Sequence, residues 1–183
     1  MVYGIIGGIL LLIIIWAIAS YNGFIKLKNA IEEAYSTMDV YLKKRYDLIP
    51  NLVETVKGYA KHEKETLTQV IEARNMAAGA KTVEDKIAAE NMLAGTLKSL
   101  FAVAESYPDL KANTNFMDLQ KQLQRLEDEI ANSRKYYNAV VKTYNTKREV
   151  FPGVIIAGIF KFAKKPLFEV SEQSERENVE VKF

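Results

Sequence analysis

Val2–Ser20 reads VYGIIGGILLLIIIWAIAS, nineteen residues without a charge and dense in Ile and Leu. At 1.5 Å per helical residue, about 20 apolar residues cross a hydrocarbon core of about 30 Å. The length therefore sets one bilayer span. Trp16 and Tyr21, at its C-terminal end, are the ring types that favour the headgroup level. Gly4-x-x-x-Gly8 within the span permits close approach of a second helix. A secretory signal peptide is a competing reading, since Ala17-Ile18-Ala19 offers a small-residue cleavage pattern. Against it, no Lys or Arg precedes the run, and the run exceeds the usual apolar stretch of about 7–15 residues. A buried core helix is the other reading, but it rarely runs so long unbroken. The expectation is an uncleaved anchor over residues 1–21.

Charge around the span sets the expected orientation. Lys26 and Lys28 follow it, then Lys43, Lys44 and Arg45. Positive charge near a span stays cytoplasmic, and acidic residues such as Glu32, Glu33 and Asp39 count for little. The N-terminus is expected outside and the body in the cytosol.

The chain has 183 residues, so a body of about 160 remains beyond the anchor, enough for one domain with a real core. It has no cysteine, which excludes disulfides, zinc–thiolate sites and a Cys nucleophile and fits a reducing compartment. The net charge of +2, from 25 basic and 23 acidic residues, gives no electrostatic case for nucleic acid. Lys43-Lys44-Arg45 is the only basic triplet, and it reads as a solvated helix face.

Over residues 22–151 apolar positions recur at helical spacing. Phe24, Leu27, Ile31, Tyr35, Met38 and Leu42 form one stripe among Lys28, Glu32, Glu33 and Lys43. With no Pro between anchor and stripe, and Gly23 the one weak point, a stalk continuous with the anchor is expected. At Tyr46-Asp47-Leu48-Ile49-Pro50 two readings compete. Pro50 cannot donate to residue 46, and Asp47 is a good N-cap, which favours a turn and a new helix. The phase through Leu42, Ile49 and Val56 instead fits one kinked helix. A turn is the expectation here.

A second helix carries Leu52, Val53, Val56, Tyr59, Leu67, Val70 and Ile71 and ends at Gly79. Thr82 with Asp85 resembles a capping box. A third helix from Val83 buries Ile87, Leu93, Leu97, Leu100, Phe101 and Ala104, and Tyr107-Pro108-Asp109 stops it. A fourth, from Asn115 to Val150, carries Phe116, Leu119, Leu123, Leu126, Ile130, Ser133, Tyr137, Val140 and Tyr144 three and four apart. The fold class is all-α: a single N-terminal transmembrane helix followed by a long up-down-up-down four-helix bundle. Residues 152–183 form an apolar segment and a charged tail.

The search for chemistry finds little. His62 is the only histidine and has no i,i+4 His or Cys companion, so it reads as a surface residue. No nucleophile elbow or phosphate-binding glycine motif occurs outside the anchor. Glu127, Asp128 and Glu129 read as a wet helix face. No catalytic residue, cofactor or metal is assigned, and an enzyme is not expected.

Two stretches carry candidate contacts. Tyr107, Pro108, Asp109, Asn113 and Asn115 form a polar connection that either braces neighbouring helix ends or binds a partner. Gly153–Phe160 is too short to span a bilayer and too apolar to leave in water. Packing on the bundle is its simplest fate, while Ile155, Ile156 and Phe160, with Gly4 and Gly8, are the candidates for intersubunit or membrane contact. Tyr136, Tyr137, Tyr144, Asn138 and Asn145 suit hydrogen bonding within the bundle or a contact between subunits.

Several of these stretches resemble the LemA family. They are Tyr41–His62 (YLKKRYDLIPNLVETVKGYAKH), Ala104–Phe116 (AESYPDLKANTNF) and Arg134–Thr146 (RKYYNAVVKTYNT), followed by Phe151-Pro152. The resemblance covers nearly the whole chain, least so from Ser171. It implies a single-pass protein of the bacterial inner membrane with a helical body, and it brings no catalytic pattern or cofactor. The expected function is a structural scaffold that self-associates at the membrane, its partners being lipid and further copies of itself. The alternative is an adaptor or regulatory subunit for another membrane protein, such as a protease or a sensor.

Overall fold

The computed structural model describes residues 1–169. Its helices are α1 (Val2–Tyr59), α2 (Lys64–Gly79), α3 (Val83–Glu105), the single turn α4 (Pro108–Lys111), α5 (Thr114–Glu149) and α6 (Gly153–Ile159). No strand occurs among the described residues. The described chain divides into two compact units: Met1–Tyr41 with Glu129–Leu167, and Leu42–Asp128 with Phe168 and Glu169. α1 and α5 contribute to both.

The turn expected at residues 46–50 is absent. α1 runs through Pro50 for 58 residues. Proline removes the N–H that bonds the carbonyl four residues back, here that of Tyr46. Arg74 of α2 replaces it: its Nε donates to the Tyr46 carbonyl at 3.1 Å. A tertiary donor thus supplies what the local sequence lacks, and the helix continues. The reversal comes instead at Ala60–Glu63, where Glu63 N–H donates to the Ala60 carbonyl at 3.2 Å. No Gly or Pro marks that corner. Ala60 and Leu67 are both buried there, so packing sets the turn.

The second unit is a four-helix bundle of the α1 residues beyond Tyr41, α2, α3 and the start of α5. Leu42, Ile49, Val56, Val70, Leu93 and Leu100 are wholly buried in it. Short connections join successive helices, which makes neighbours antiparallel. Thr82 caps α3, its hydroxyl oxygen accepting from Asp85 N–H at 3.0 Å, as the sequence spacing indicated. Gly79 is the last residue of α2, and Ala80 follows in an extended conformation.

In the first unit α1 buries Phe24, Ile31, Ala34 and Met38 and α5 buries Ile130, Tyr137, Val141 and Tyr144, with ring pairs Phe24–Tyr144 at 5.9 Å and Tyr35–Tyr137 at 6.0 Å between them. Buried positions 116, 123, 130, 137 and 144 of α5 form an unbroken heptad, the signature of helix-on-helix packing. A turn with a cis Phe151–Pro152 bond leads into α6. Gly153 is required at that corner, because a Cβ there would stand 2.2 Å from the Lys147 carbonyl oxygen. α6 closes with Phe162 N–H donating to the Ala157 carbonyl at 3.0 Å and Lys161 in the left-handed region, φ 53°, a Schellman-type ending.

Burial separates two leucines that the sequence placed on one stripe. Leu123 is buried and Leu126 half-buried. Leu123→Ala is expected to lower stability by about 2–5 kcal/mol, and Leu126→Ala by clearly less. His62 is exposed, so His62→Ala is expected to stay within about 0.5 kcal/mol. Urea denaturation followed by circular dichroism checks the order of the three.

Candidate functional site

The densest polar chemistry lies within the four-helix bundle. Arg45 is 3% exposed, Glu90 7%. The Arg45 guanidinium donates through Nη2 to Glu90 of α3 and through Nη1 to both carboxylate oxygens of Glu127 of α5, at 2.8 and 3.0 Å. Tyr46 donates its hydroxyl to the other Glu90 oxygen and receives Arg74 of α2 on its carbonyl. Lys86, also buried, sets its ammonium 5.7 Å from the Tyr46 ring centroid. Adjacent residues of α1 therefore bind all three neighbouring helices at one level.

Two sequence expectations are corrected here. Arg45 does not share the solvated face of Lys43 and Lys44, which are exposed; it points inward. Glu127 does not lie on a plain wet face but ends the Arg45 fork. A basic triplet places three charges on consecutive residues of a helix, about 100° apart, so the three do not share one face. The heptad from Met38 to Arg45, continuing to Leu52, was the available signal. The Arg45 Nε has no partner. With its carboxylates bonded by Arg45 and Tyr46, the arrangement ties helices together.

The connection after α3 also braces its own unit. Tyr107 donates its hydroxyl to Glu63 at 3.3 Å. Asn113 donates to the Tyr59 hydroxyl at 2.9 Å and accepts Phe116 N–H at 3.0 Å as the cap of α5. Leu110 is wholly buried beneath them, whereas Pro108, Asp109 and Asn115 are exposed. Burial, then the Glu63 charge and its hydrogen bond, push the Tyr107 phenol above its ordinary pKa. An open groove of about 980 Å³ runs nearby along Val53, Lys57, Lys61, Leu67 and Ile71.

In the first unit the residues after α6 are strapped to α5. Tyr137 donates to the Pro166 carbonyl at 3.0 Å and Tyr144 to the Ala163 carbonyl at 3.0 Å. Asn145 exchanges two bonds with Lys165 at 2.8 and 3.0 Å, and Arg148 donates to the Phe162 carbonyl at 2.8 Å. The tyrosines and asparagine left open by sequence thus bond within the fold, while Tyr136 is exposed. Of the three α6 candidates, Ile156 is buried, and Ile155 and Phe160 are about half exposed. Beyond the adjoining backbone of its own helix, no described atom lies within 4 Å of a Cβ built on Gly4 or Gly8.

The LemA family profile matches residues 34–183. This chain belongs to the LemA family. Among curated relatives, a protein LemA of Metamycoplasma hominis is 26% identical over 155 residues, covering 82% of this chain and 69% of that protein. The magnetosome protein MamQ 2 of Paramagnetospirillum magneticum is 23% identical over 175 residues, with coverage of 81% and 64%. The MamQ protein of Magnetospirillum gryphiswaldense is 22% identical over 174 residues, with the same coverage. The chain thus spans a little under two thirds of the MamQ proteins. The family match begins beyond the apolar part of α1 and takes in the ionic node, the Tyr107–Phe116 brace and the strap.

Removing one partner of a buried ion pair strands the other charge. Arg45→Met is expected to destabilise by about 3–5 kcal/mol, and the double change Arg45→Met with Glu90→Leu is expected to recover much of that loss. Urea midpoints of the three proteins check the order. The strap has its own sign. Burial raises the Tyr144 phenol above its ordinary value, against a smaller lowering by Arg148. Its contribution is therefore complete below the unfolded pKa of 10.0 and is lost as pH rises through the folded value. Tyr144→Phe is expected to blunt the alkaline loss of stability.

Proposed function

We propose that this chain is a non-catalytic, membrane-anchored scaffold that self-associates in the bacterial inner membrane, with its N-terminus outside and its helical body in the cytoplasm. The observation that carries this reading is a division of surface. Every residue from Met1 to Ile15 is exposed to its surroundings, and no residue of the apolar span is fully buried within the protein. The body, by contrast, turns buried Arg45 and Glu90 onto each other, with the half-exposed Glu127 closing the Arg45 fork. Such a molecule offers the bilayer a long apolar helix and holds its buried ion pair between its own helices.

Self-association is supported by the anchor. Gly4 and Gly8 leave a flat face with nothing against it, and small residues at that spacing let helix backbones meet in lipid. The cytoplasmic placement rests on Lys26, Lys28, Lys43 and Lys44, all exposed beyond the span. The relatives named as magnetosome proteins bring no reaction or substrate to this chain. The second reading, an adaptor for another membrane protein, is favoured by the open groove along Val53, Leu67 and Ile71 and by the exposed Pro108, Asp109 and Asn115.

Mass measurement after solubilisation in mild detergent separates the two. A homomeric particle of several copies is expected, weakened by Gly4→Leu with Gly8→Leu. A monomer that copurifies with a stoichiometric partner supports the adaptor. Because the chain has no native cysteine, Ala102→Cys gives a single topology probe. It is expected to resist an impermeant maleimide in intact cells and to react once the membrane is opened, while labelling from outside contradicts the orientation.

A further inference from the structure

The apolar segment after α5 does not all pack inward. Phe151 is 79% exposed, Val154 44%, Ile155 46%, Ile159 66% and Phe160 51%. Five large apolar side chains exposed within ten residues concentrate apolar surface at one place in the chain, and such concentrations on a folded protein mark a surface that meets something. Their backbone is held in place. The strap fixes residues 162–166 to α5 through Tyr137, Tyr144, Asn145 and Arg148. Buried Ile156 and Ala157 seat the opposite face of α6.

The neighbours of this patch set its depth. Its beginning, Phe151–Gly153, lines a cleft of about 270 Å³ together with Trp16, Ser20 and Lys147. Its end, Phe160, sets its ring 4.7 Å from that of Tyr21. The following Phe162 stacks on Phe24 at 4.8 Å. α6 therefore lies beside the stretch of α1 from Trp16 to Tyr21, about 7.5 Å of helix. That stretch carries the interfacial rings that close the membrane span. An apolar face beside it is continuous with a surface already in lipid.

The charges agree. Lys147 forms a wall of the same cleft, its ammonium 4.8 Å from the Phe24 ring centroid, and exposed Lys161 follows Phe160 directly. Lys164 is partly answered by Glu149 at 3.4 Å. Apolar side chains flanked by lysines suit the acyl–headgroup boundary, which interfacial elements enter by about 5–10 Å. Lysine stems lie along the apolar surface while their ammonium groups reach headgroup phosphates.

We propose that α6 is a second membrane element. Phe151, Val154, Ile155, Ile159 and Phe160 dip into the bilayer interface beside the anchor, and Lys147 and Lys161 engage the phosphates of anionic phospholipid. The anchor then leaves the bilayer with a fixed rotation and depth instead of pivoting freely. This rests on the reading of α1 as a bilayer anchor, and the test keeps the two apart.

The full chain is reconstituted at high lipid dilution into vesicles of phosphatidylcholine, with and without phosphatidylglycerol, whose acyl chains carry bromine near the headgroup. Trp16, the only tryptophan, reports insertion of the anchor. A bimane fluorophore on Ile155→Cys or Ile159→Cys reports α6, and one on Ala139→Cys, exposed on α5, serves as the water-facing reference. Quenching at 155 and 159 comparable to that of Trp16, and far above that at 139, is expected. It should be stronger with phosphatidylglycerol, and Lys147→Gln with Lys161→Gln should abolish that difference while helicity is unchanged. Quenched Trp16 with α6 positions as dry of lipid as 139 overturns the proposal and leaves the anchor standing. Unquenched Trp16 overturns both. Disulfide formation between Ile159→Cys copies without quenching assigns the patch to a second copy and equally overturns it.

Discussion

Pro50 leaves the Tyr46 carbonyl without its helical donor, and Arg74 of α2 supplies one at 3.1 Å. An unsatisfied buried carbonyl costs about 1–3 kcal/mol, so this bond decides whether α1 continues or breaks. Around the same turn Arg45 reaches Glu90 and Glu127, and Tyr46 reaches Glu90. Proline, arginine and tyrosine within six residues thus lock α1 to α2, α3 and α5. Polar bonds at this node are directional, and they fix helix register in a way that interchangeable aliphatic contacts do not.

Much of the architecture was legible in the sequence because it rests on period. The heptad Phe116, Leu123, Ile130, Tyr137 and Tyr144 is buried as its spacing implies. The Thr82 cap follows from local chemistry, and the long apolar start of α1 follows from composition. Features that depend on a distant partner were not legible. Nothing near Pro50 announces a donor from α2, so local reasoning placed a turn there. Nothing in Ala60-Lys61-His62-Glu63 announces a corner, because no Gly or Pro breaks the helix and only packing demands the reversal. Arg45 and Glu127 look solvated beside their charged neighbours; the seven-residue spacing of Met38, Arg45 and Leu52 marks Arg45 as inward, but nothing local names its partners.

The three segments that carry the family resemblance are also those that carry much of the polar bracing. Tyr41–His62 holds Arg45, Tyr46 and Pro50. Ala104–Phe116 holds Tyr107 and Asn113, and Arg134–Thr146 holds the strap donors Tyr137, Tyr144 and Asn145. What is distinctive in this sequence is therefore chemistry turned inward, helix to helix and strap to helix. Most of the exposed large apolar side chains among the described residues lie on the apolar start of α1 and around α6. That pattern accords with a membrane scaffold, in which rigid geometry relative to the bilayer is the product of the fold.

The most direct measurement is a double-mutant cycle between Arg74 and Pro50, read as unfolding free energies of the full chain in mild detergent. If Arg74 replaces the donor that Pro50 lacks, Arg74→Met is costly in the native background, by about 1–3 kcal/mol. In a Pro50→Ala background the Ala N–H bonds the Tyr46 carbonyl, and the same change should cost much less. An equal cost in both backgrounds would contradict the account, because Arg74 would then contribute nothing that the proline makes necessary.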